Sequence, residues 1–155
     1  MPLSEWVSAP QDASLHPRSQ ESQAIPIRLA RVDDFVREHA IRGVDLVKID
    51  TEGTEHWILE GARETLARDR PVIVCEILNS EQWVDEPERR AEAYITRILI
   101  ELRYDAFHLK ASGPEHCTEL RPDPQYQDLN FLFIPSERAS ELPPWFPRPK
   151  TGPPT

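Results

Sequence analysis

Residues 44–77 read VDLVKIDTEGTEHWILEGARETLARDRPVIVCEI, and this stretch decides the fold class. Apolar runs at 44–50 and 71–77 flank a segment whose apolar residues recur at helical spacing. Those positions are Ile58, Leu59, Ala62 and Leu66. Short apolar runs without alternation are typical of strands buried on both faces. A strand, a helix and a second strand in this order predict a parallel pair within an α/β sheet.

The chain on either side of this stretch extends the same pattern. Asp33 or Asp34 is a suitable N-cap for a short helix that precedes the first strand. A long amphipathic helix that begins at Pro87 follows the second strand, and two further strands are predicted at 105–110 and 129–134. We expect these last two strands to pair antiparallel as a hairpin at the sheet edge. The predicted class is therefore α/β.

The composition divides the chain into three segments. Residues 1–24 are polar without a sustained period and are expected to be loop-rich. Residues 25–135 carry the predicted helices and strands and form one domain. Residues 136–155 contain six prolines between Pro143 and Pro154, so we expect an extended proline-rich tail.

Charge and composition exclude several classes of function. The 155 residues include 18 basic and 27 acidic side chains, and a net charge of −9 argues against a nucleic-acid or anionic-membrane surface. No apolar run approaches the roughly 20 residues of a membrane helix, and the first residues lack the apolar stretch of a signal peptide. Two cysteines make neither a disulfide framework nor a zinc site, and no metal site is predicted. We expect a soluble, cytoplasmic domain.

Polar residues crowd the end of the first predicted strand. In open α/β sheets, ligands bind beyond the carboxyl ends of the strands. Asp50, Glu52, Glu55 and His56 lie there, between a strand and the start of a helix. Crowded carboxylates favour a raised pKa, a bound cation or a basic partner, and each can support general base catalysis on a hydroxyl. These four residues are the candidate catalytic residues.

A structural explanation of the same residues stays open. Glu52 and Glu55 can simply complement the helix dipole, while Asp50 caps a turn. Glu76 and Asn79 occupy the corresponding place after the second strand, and we predict that they bind substrate. An acidic residue at that place can equally be satisfied by a backbone donor. From these residues alone, the chain is an α/β protein with a binding site at its strand ends.

Several segments together resemble the FkbM family of S-adenosylmethionine-dependent methyltransferases. The matching segments are VDD at 32–34, KIDTEGTE at 48–55, LEGA at 59–62, PVIVCE at 71–76 and NFLFIP at 130–135. The resemblance covers about residues 3–135, and Val32 stands where the family has leucine. It implies the C-terminal half of a Rossmann-like class I methyltransferase sheet, with parallel strands and an antiparallel edge hairpin.

The resemblance also implies a reaction. It implies S-adenosylmethionine as cofactor and, as acceptor, a hydroxyl of a sugar or polyketide-like small molecule. Asp50 and Glu52 would lie at the site, with Glu55 or His56 as helper.

The family's cofactor-binding motifs have no counterpart in this sequence. The glycine-rich turn and the acidic residue that holds the ribose come before the matching segments, so the cofactor-binding residues stay unassigned. The family places a further strand beside residues 44–50, so here that strand is expected at an open edge, where it invites self-association or a complementary half. The alternative function is a non-catalytic fragment, either a truncated copy or a half-protein that needs a separate N-terminal half.

Overall fold

A computed structural model describes residues 26–79, 90–125 and 127–148. Helices α1 to α4 span Val32–Glu38, Glu55–Gly61, Arg63–Asp69 and Ala91–Glu101. Strands β1 to β5 span Leu46–Ile49, Val72–Glu76, Tyr104–Lys110, Gly113–Cys117 and Asn130–Pro135, and a 3₁₀ helix spans Ser136–Glu141. The predictions for residues 1–24, for Pro87 and for the last seven residues lie outside the described residues.

The five strands form one mixed sheet in the order β1-β2-β5-β3-β4. β1 and β2 pair in parallel, with Leu46 opposite Val72 and Ile49 opposite Cys75. The three other pairings are antiparallel. The predicted α/β class and the predicted parallel pair are therefore confirmed.

The last strand lies inside the sheet. β5 pairs with both β2 and β3, and Leu132 lies opposite Val74 on one side and Phe107 on the other. The predicted antiparallel pairing of 105–110 with 129–134 is thus confirmed, but its position at the sheet edge is wrong. The edge hairpin consists of β3 and β4, a strand that was not predicted. β4 contains Pro114, and an edge strand tolerates proline because one side of its backbone needs no ladder hydrogen bond.

The helix predicted between the apolar runs at 44–50 and 71–77 is divided in two. α2 ends at Gly61, and α3 begins after Ala62, whose φ of −111° departs from helical geometry. Asp33 does not cap α1, which has Arg31 at its N-cap position. The buried Asp33 carboxylate instead accepts hydrogen bonds from the backbone N–H groups of Glu64 and Thr65, at 3.1 and 2.9 Å. It therefore ties the start of α3 to α1.

The core lies between the sheet and the helices α2, α3 and α4. The sheet contributes buried apolar side chains from β1, β2 and β5: Ile49, Ile73, Cys75, Phe131 and Phe133. The helices contribute Leu59, Leu66, Ile95, Ile98 and Leu99. This packing fixes the carboxyl ends of β1 and β2 side by side.

Part of the expected tail packs on the domain. Residues 136–141 form the 3₁₀ helix, so the prediction of an extended conformation is wrong for these residues. Farther along, the Phe146 ring contacts the buried Phe107 ring edge-on, with their centroids 4.9 Å apart. Arg148 donates hydrogen bonds to the carbonyls of Ala139 and Leu142. The division into three segments stays a prediction.

Candidate functional site at the carboxyl ends of the parallel strands

A tight turn joins β1 to α2. Glu52 and Gly53 both have left-handed backbone conformations, with φ of 61° and 105°. Glycine adopts this conformation freely, whereas for Glu52 it is unfavourable because of its Cβ atom. The turn is held by Glu55, whose Oε1 accepts hydrogen bonds from the Thr51 N–H, the Thr51 hydroxyl and the Gly53 N–H, at 3.0 to 3.1 Å. Glu55 itself is 2% exposed.

Three carboxylates meet where β1 and β2 end. Asp50 directly follows β1, and Glu76 is the last residue of β2. Because Ile49 pairs with Cys75, the next residues of the two strands are neighbours. Glu52 approaches from the turn, and one carboxylate oxygen from each of the three residues lies within 4.8 Å of the others. We call Asp50, Glu52 and Glu76 the acidic cluster.

The surroundings of Asp50 and Glu76 move the pKa values of the two carboxyls apart. The hydrogen bond between the Glu76 and Asp50 carboxyls, with desolvation and the negative charges of Asp50 and Glu52, raises the pKa of Glu76 to about 7. The same hydrogen bond, helped by the Lys48 ammonium, lowers the pKa of Asp50. Two carboxylates this close cannot both ionise easily, so the pair titrates as a unit. Below about pH 7, Glu76 keeps the proton and donates its O–H to Asp50.

Two polar residues missed by the sequence predictions border the acidic cluster. The Lys48 Nζ lies 3.3 Å from Asp50 Oδ2 and 3.4 Å from Asn130 Oδ1. Asn130 opens β5 and lies opposite Glu76 in the antiparallel register. A lysine within an apolar strand was a usable signal for Lys48. Nothing in the sequence pointed to Asn130, because it lies near the acidic cluster only when β5 pairs with β2.

The other predicted site residues have different surroundings. Glu55 lies beneath the turn and contacts it from inside. The His56 ring packs in an aromatic group, with its centroid 5.1 Å from that of Trp57 and 5.8 Å from that of Tyr94. Asn79 is buried three residues beyond β2. The structure therefore joins three of the six predicted residues into one cluster, namely Asp50, Glu52 and Glu76.

The acidic cluster allows two kinds of chemistry. Carboxylate oxygens at this spacing suit a divalent cation, but crowded carboxylates are by themselves no sign of one. A shared proton between two of them is the arrangement found in acid–base sites, where the environment moves two pKa values apart. The lowered pKa of Asp50 and the raised pKa of Glu76 correspond to this second arrangement.

Comparison with known proteins identifies the family. A profile described as the methyltransferase FkbM domain matches residues 3–121. The chain belongs to this family. The match confirms the resemblance carried by KIDTEGTE, and the FkbM domain indicates methyltransferase activity. Neither the curated proteins nor the solved structures include a significant match to the chain.

The lengths and polarity of the helices bear on whether any of them could span a membrane. Among the described residues of the FkbM domain and the segment after it, every helix is too short or too polar to cross a bilayer.

Proposed function

We propose that the chain forms the acceptor side of an S-adenosylmethionine-dependent O-methyltransferase. The acceptor would be a hydroxyl of a sugar or polyketide-like small molecule. Family membership supports methyl transfer. The observation that carries the choice of a hydroxyl acceptor is the hydrogen-bonded carboxyl pair of Asp50 and Glu76 at the ends of two parallel strands. In this proposal the sheet is the C-terminal half of a Rossmann-like class I methyltransferase sheet.

Glu76 is the general base in this proposal. A general base is most effective when its pKa lies near the operating pH, and the pKa of Glu76 is about 7. Above that pH, an ionised Glu76 accepts a hydrogen bond from the acceptor hydroxyl and then takes its proton as the oxygen is methylated. Asp50 stays ionised next to it, with Lys48 3.3 Å away, and its charge keeps Glu76 basic.

The carboxylates of the acidic cluster suit the chemical groups of the cofactor. S-adenosylmethionine carries a sulfonium cation and ribose hydroxyls, and carboxylates are suitable partners for both. Asp50 and Glu52 are the residues of this chain that would face it, since Glu76 is occupied by the acceptor. When bound, the cofactor supplies an electrophilic methyl group. The remaining contribution of the chain is to position the acceptor hydroxyl and to remove its proton.

The test is methyl transfer from radiolabelled S-adenosylmethionine to a panel of hydroxylated sugars and macrolactones. With a productive acceptor, Glu76→Gln should lower turnover by about 10²- to 10⁴-fold, the usual contribution of a general base. Glu64→Gln, on the exposed surface of α3, is the matched control and should leave turnover unchanged. Transfer to amines but not to hydroxyls, or full turnover by Glu76→Gln, would contradict the proposal.

One observation favours a second candidate, a half-protein that becomes active with a complementary chain. β1 lies at an edge of the described sheet, and its Leu46 is 61% exposed. An edge strand with a large exposed apolar side chain is a template for another strand. Calorimetric titration of the 155-residue chain with S-adenosylmethionine separates the candidates. Micromolar binding favours a site assembled by this chain, whereas absence of binding favours the half-protein.

A further inference from the structure

We propose that Glu55 is a positioning residue, whose buried carboxylate fixes the turn at 51–54 and thereby holds Asp50 and Glu52 against Glu76. The inference rests on the proposed function only for what the acidic cluster does once it is assembled. Glu55 would not touch the acceptor or the cofactor. Its role is to keep the carboxylates of the acidic cluster at the spacing at which they share a proton.

The hydrogen bonds of Glu55 all point into the turn. Its Oε1 accepts from the Thr51 N–H at 3.1 Å, from the Thr51 hydroxyl at 3.1 Å and from the Gly53 N–H at 3.0 Å. At 2% exposure, the carboxylate has little access to water, so these three donors replace its hydration.

The turn needs such a support. Two consecutive left-handed residues are unusual, and this conformation is unfavourable for a residue with a Cβ atom. Glu52 adopts this conformation and is also the residue that the turn delivers to the acidic cluster. Hydrogen bonds to a charged group are the stronger kind, and three of them offset the unfavourable backbone. Without Glu55 we expect the turn to relax and Glu52 and Asp50 to move away from Glu76.

If Glu55 is a positioning residue, Glu55→Gln should largely retain methyl transfer. If Glu55 is a catalytic residue, the same substitution should abolish it. The glutamine carbonyl still accepts hydrogen bonds from Thr51 and Gly53, so a positioning role is largely retained. A glutamine cannot take a proton, so a catalytic role is lost. Glu55→Ala removes both roles. Comparison of the two variants therefore distinguishes the roles, with Glu60→Gln on the exposed side of the same helix as the matched control.

The decisive measurement is the titration of the Glu76 side chain by carboxyl ¹³C NMR, which needs no substrate. In the unmodified chain we expect a midpoint near 7. In Glu55→Ala it should fall toward about 4.3, the ordinary value for glutamate, because Asp50 and Glu52 no longer crowd it. Glu55→Gln and Glu60→Gln should keep the high midpoint. An unchanged midpoint in a folded Glu55→Ala protein, or a fall in Glu55→Gln equal to that in Glu55→Ala, would overturn the inference.

A second variant covers the case in which Glu55→Ala does not fold. Thr51→Val keeps the shape of the side chain and removes one of the three donors to Glu55. The Glu76 midpoint should shift in the same direction by a smaller amount, and an unchanged midpoint would count against the inference. Failure of the proposed function has a different signature. In that case no hydroxyl acceptor is methylated, while the Glu76 midpoint still responds to Glu55→Ala.

Discussion

The carboxyls of Asp50 and Glu76 are hydrogen-bonded to each other across the ends of two adjacent parallel strands. This contact raises the pKa of Glu76 to about 7, while that of Asp50 is lowered. Since the neutral form of Glu76 is favoured in the folded protein, folding between about pH 4.3 and pH 7 requires uptake of a proton. Stability is therefore expected to fall as the pH rises through this range.

The first prediction is that Glu76→Gln stabilises the protein at alkaline pH. The glutamine amide can donate to Asp50 as the protonated Glu76 does, and it carries no charge at any pH. We expect a gain of about 1 kcal/mol or more at pH 8, since one pKa unit corresponds to about 1.4 kcal/mol and solvent screens part of the shift. The gain should be small at pH 4.5. Urea denaturation at both pH values measures it.

The control for this prediction is Glu64→Gln, which changes an exposed carboxylate on α3. It measures the effect of losing one exposed carboxylate at each pH, and the gain from Glu76→Gln at pH 8 should exceed it. If Glu76→Gln shows no dependence on pH, the two carboxyls do not share a proton in solution.

The second prediction concerns the effect of Asp50→Asn on methyl transfer to a hydroxyl acceptor. Removal of the Asp50 charge, with an amide that can donate to Glu76, lowers the pKa of Glu76 and weakens it as a base. The acidic limb of the kcat profile should move at least about one unit toward lower pH, with a turnover loss of about 10-fold or more near pH 8. A profile that keeps its limb near pH 7 would mean that the limb does not belong to Glu76.

The third prediction concerns the opposite side of the domain, where Arg70 joins three segments. Its guanidinium donates to the Leu102 carbonyl at 2.6 Å, to the Arg103 carbonyl at 3.1 Å and to both carboxylate oxygens of Glu137. Arg70→Ala leaves the carbonyls at the end of α4 without this donor, so we expect a loss of about 2–3 kcal/mol in the free energy of unfolding.

The conservative variant and the pH dependence sharpen the third prediction. Arg70→Lys should recover only part of the loss, because an ammonium cannot make the paired contacts of a guanidinium. Arg70 lowers the pKa of Glu137 to about 2, so this contribution is present above about pH 4.3 and disappears as the pH falls toward 2. Chemical denaturation of the three proteins at pH 3 and pH 7 provides the measurement. Equal losses at both pH values would exclude the Arg70–Glu137 pair as their source.

The pattern of apolar residues predicted the part of the fold in which elements adjacent in the sequence contact each other. The parallel pair of β1 and β2 follows from two apolar runs joined by one helical segment. The strand order does not follow from local pattern, because the insertion of β5 between β2 and β3 depends on contacts between distant segments. The sequence analysis missed β4 because the strand begins with Gly113, Pro114 and Glu115, which are residue types that are rare in strands. The position of β4 at the sheet edge accommodates them.

The candidate site shows the same division. Asp50 and Glu76 could be placed together because the carboxyl ends of parallel strands meet at one edge of the sheet. The sequence could not show that Glu55 differs from Asp50 and Glu76 by supporting the turn, because its inward orientation depends on the backbone of the turn. The Lys48 side chain reaches Asn130 across 82 positions of the chain, and no local pattern carries such a contact.

The last prediction concerns the exposed edge of β1. The Val72 N–H donates to the Asp45 carbonyl, and the alternation of a parallel ladder then turns the backbone groups of Leu46 and Lys48 away from β2. We expect the isolated 155-residue chain to self-associate in light scattering after size exclusion, and Leu46→Lys to reduce that association by placing a charge on the edge. The matched control is Ile100→Lys on α4, because Ile100 is 65% exposed and Leu46 is 61% exposed. Equal reduction by both variants would indicate general solubility rather than strand pairing, and a stable monomer of the unmodified chain would refute the prediction.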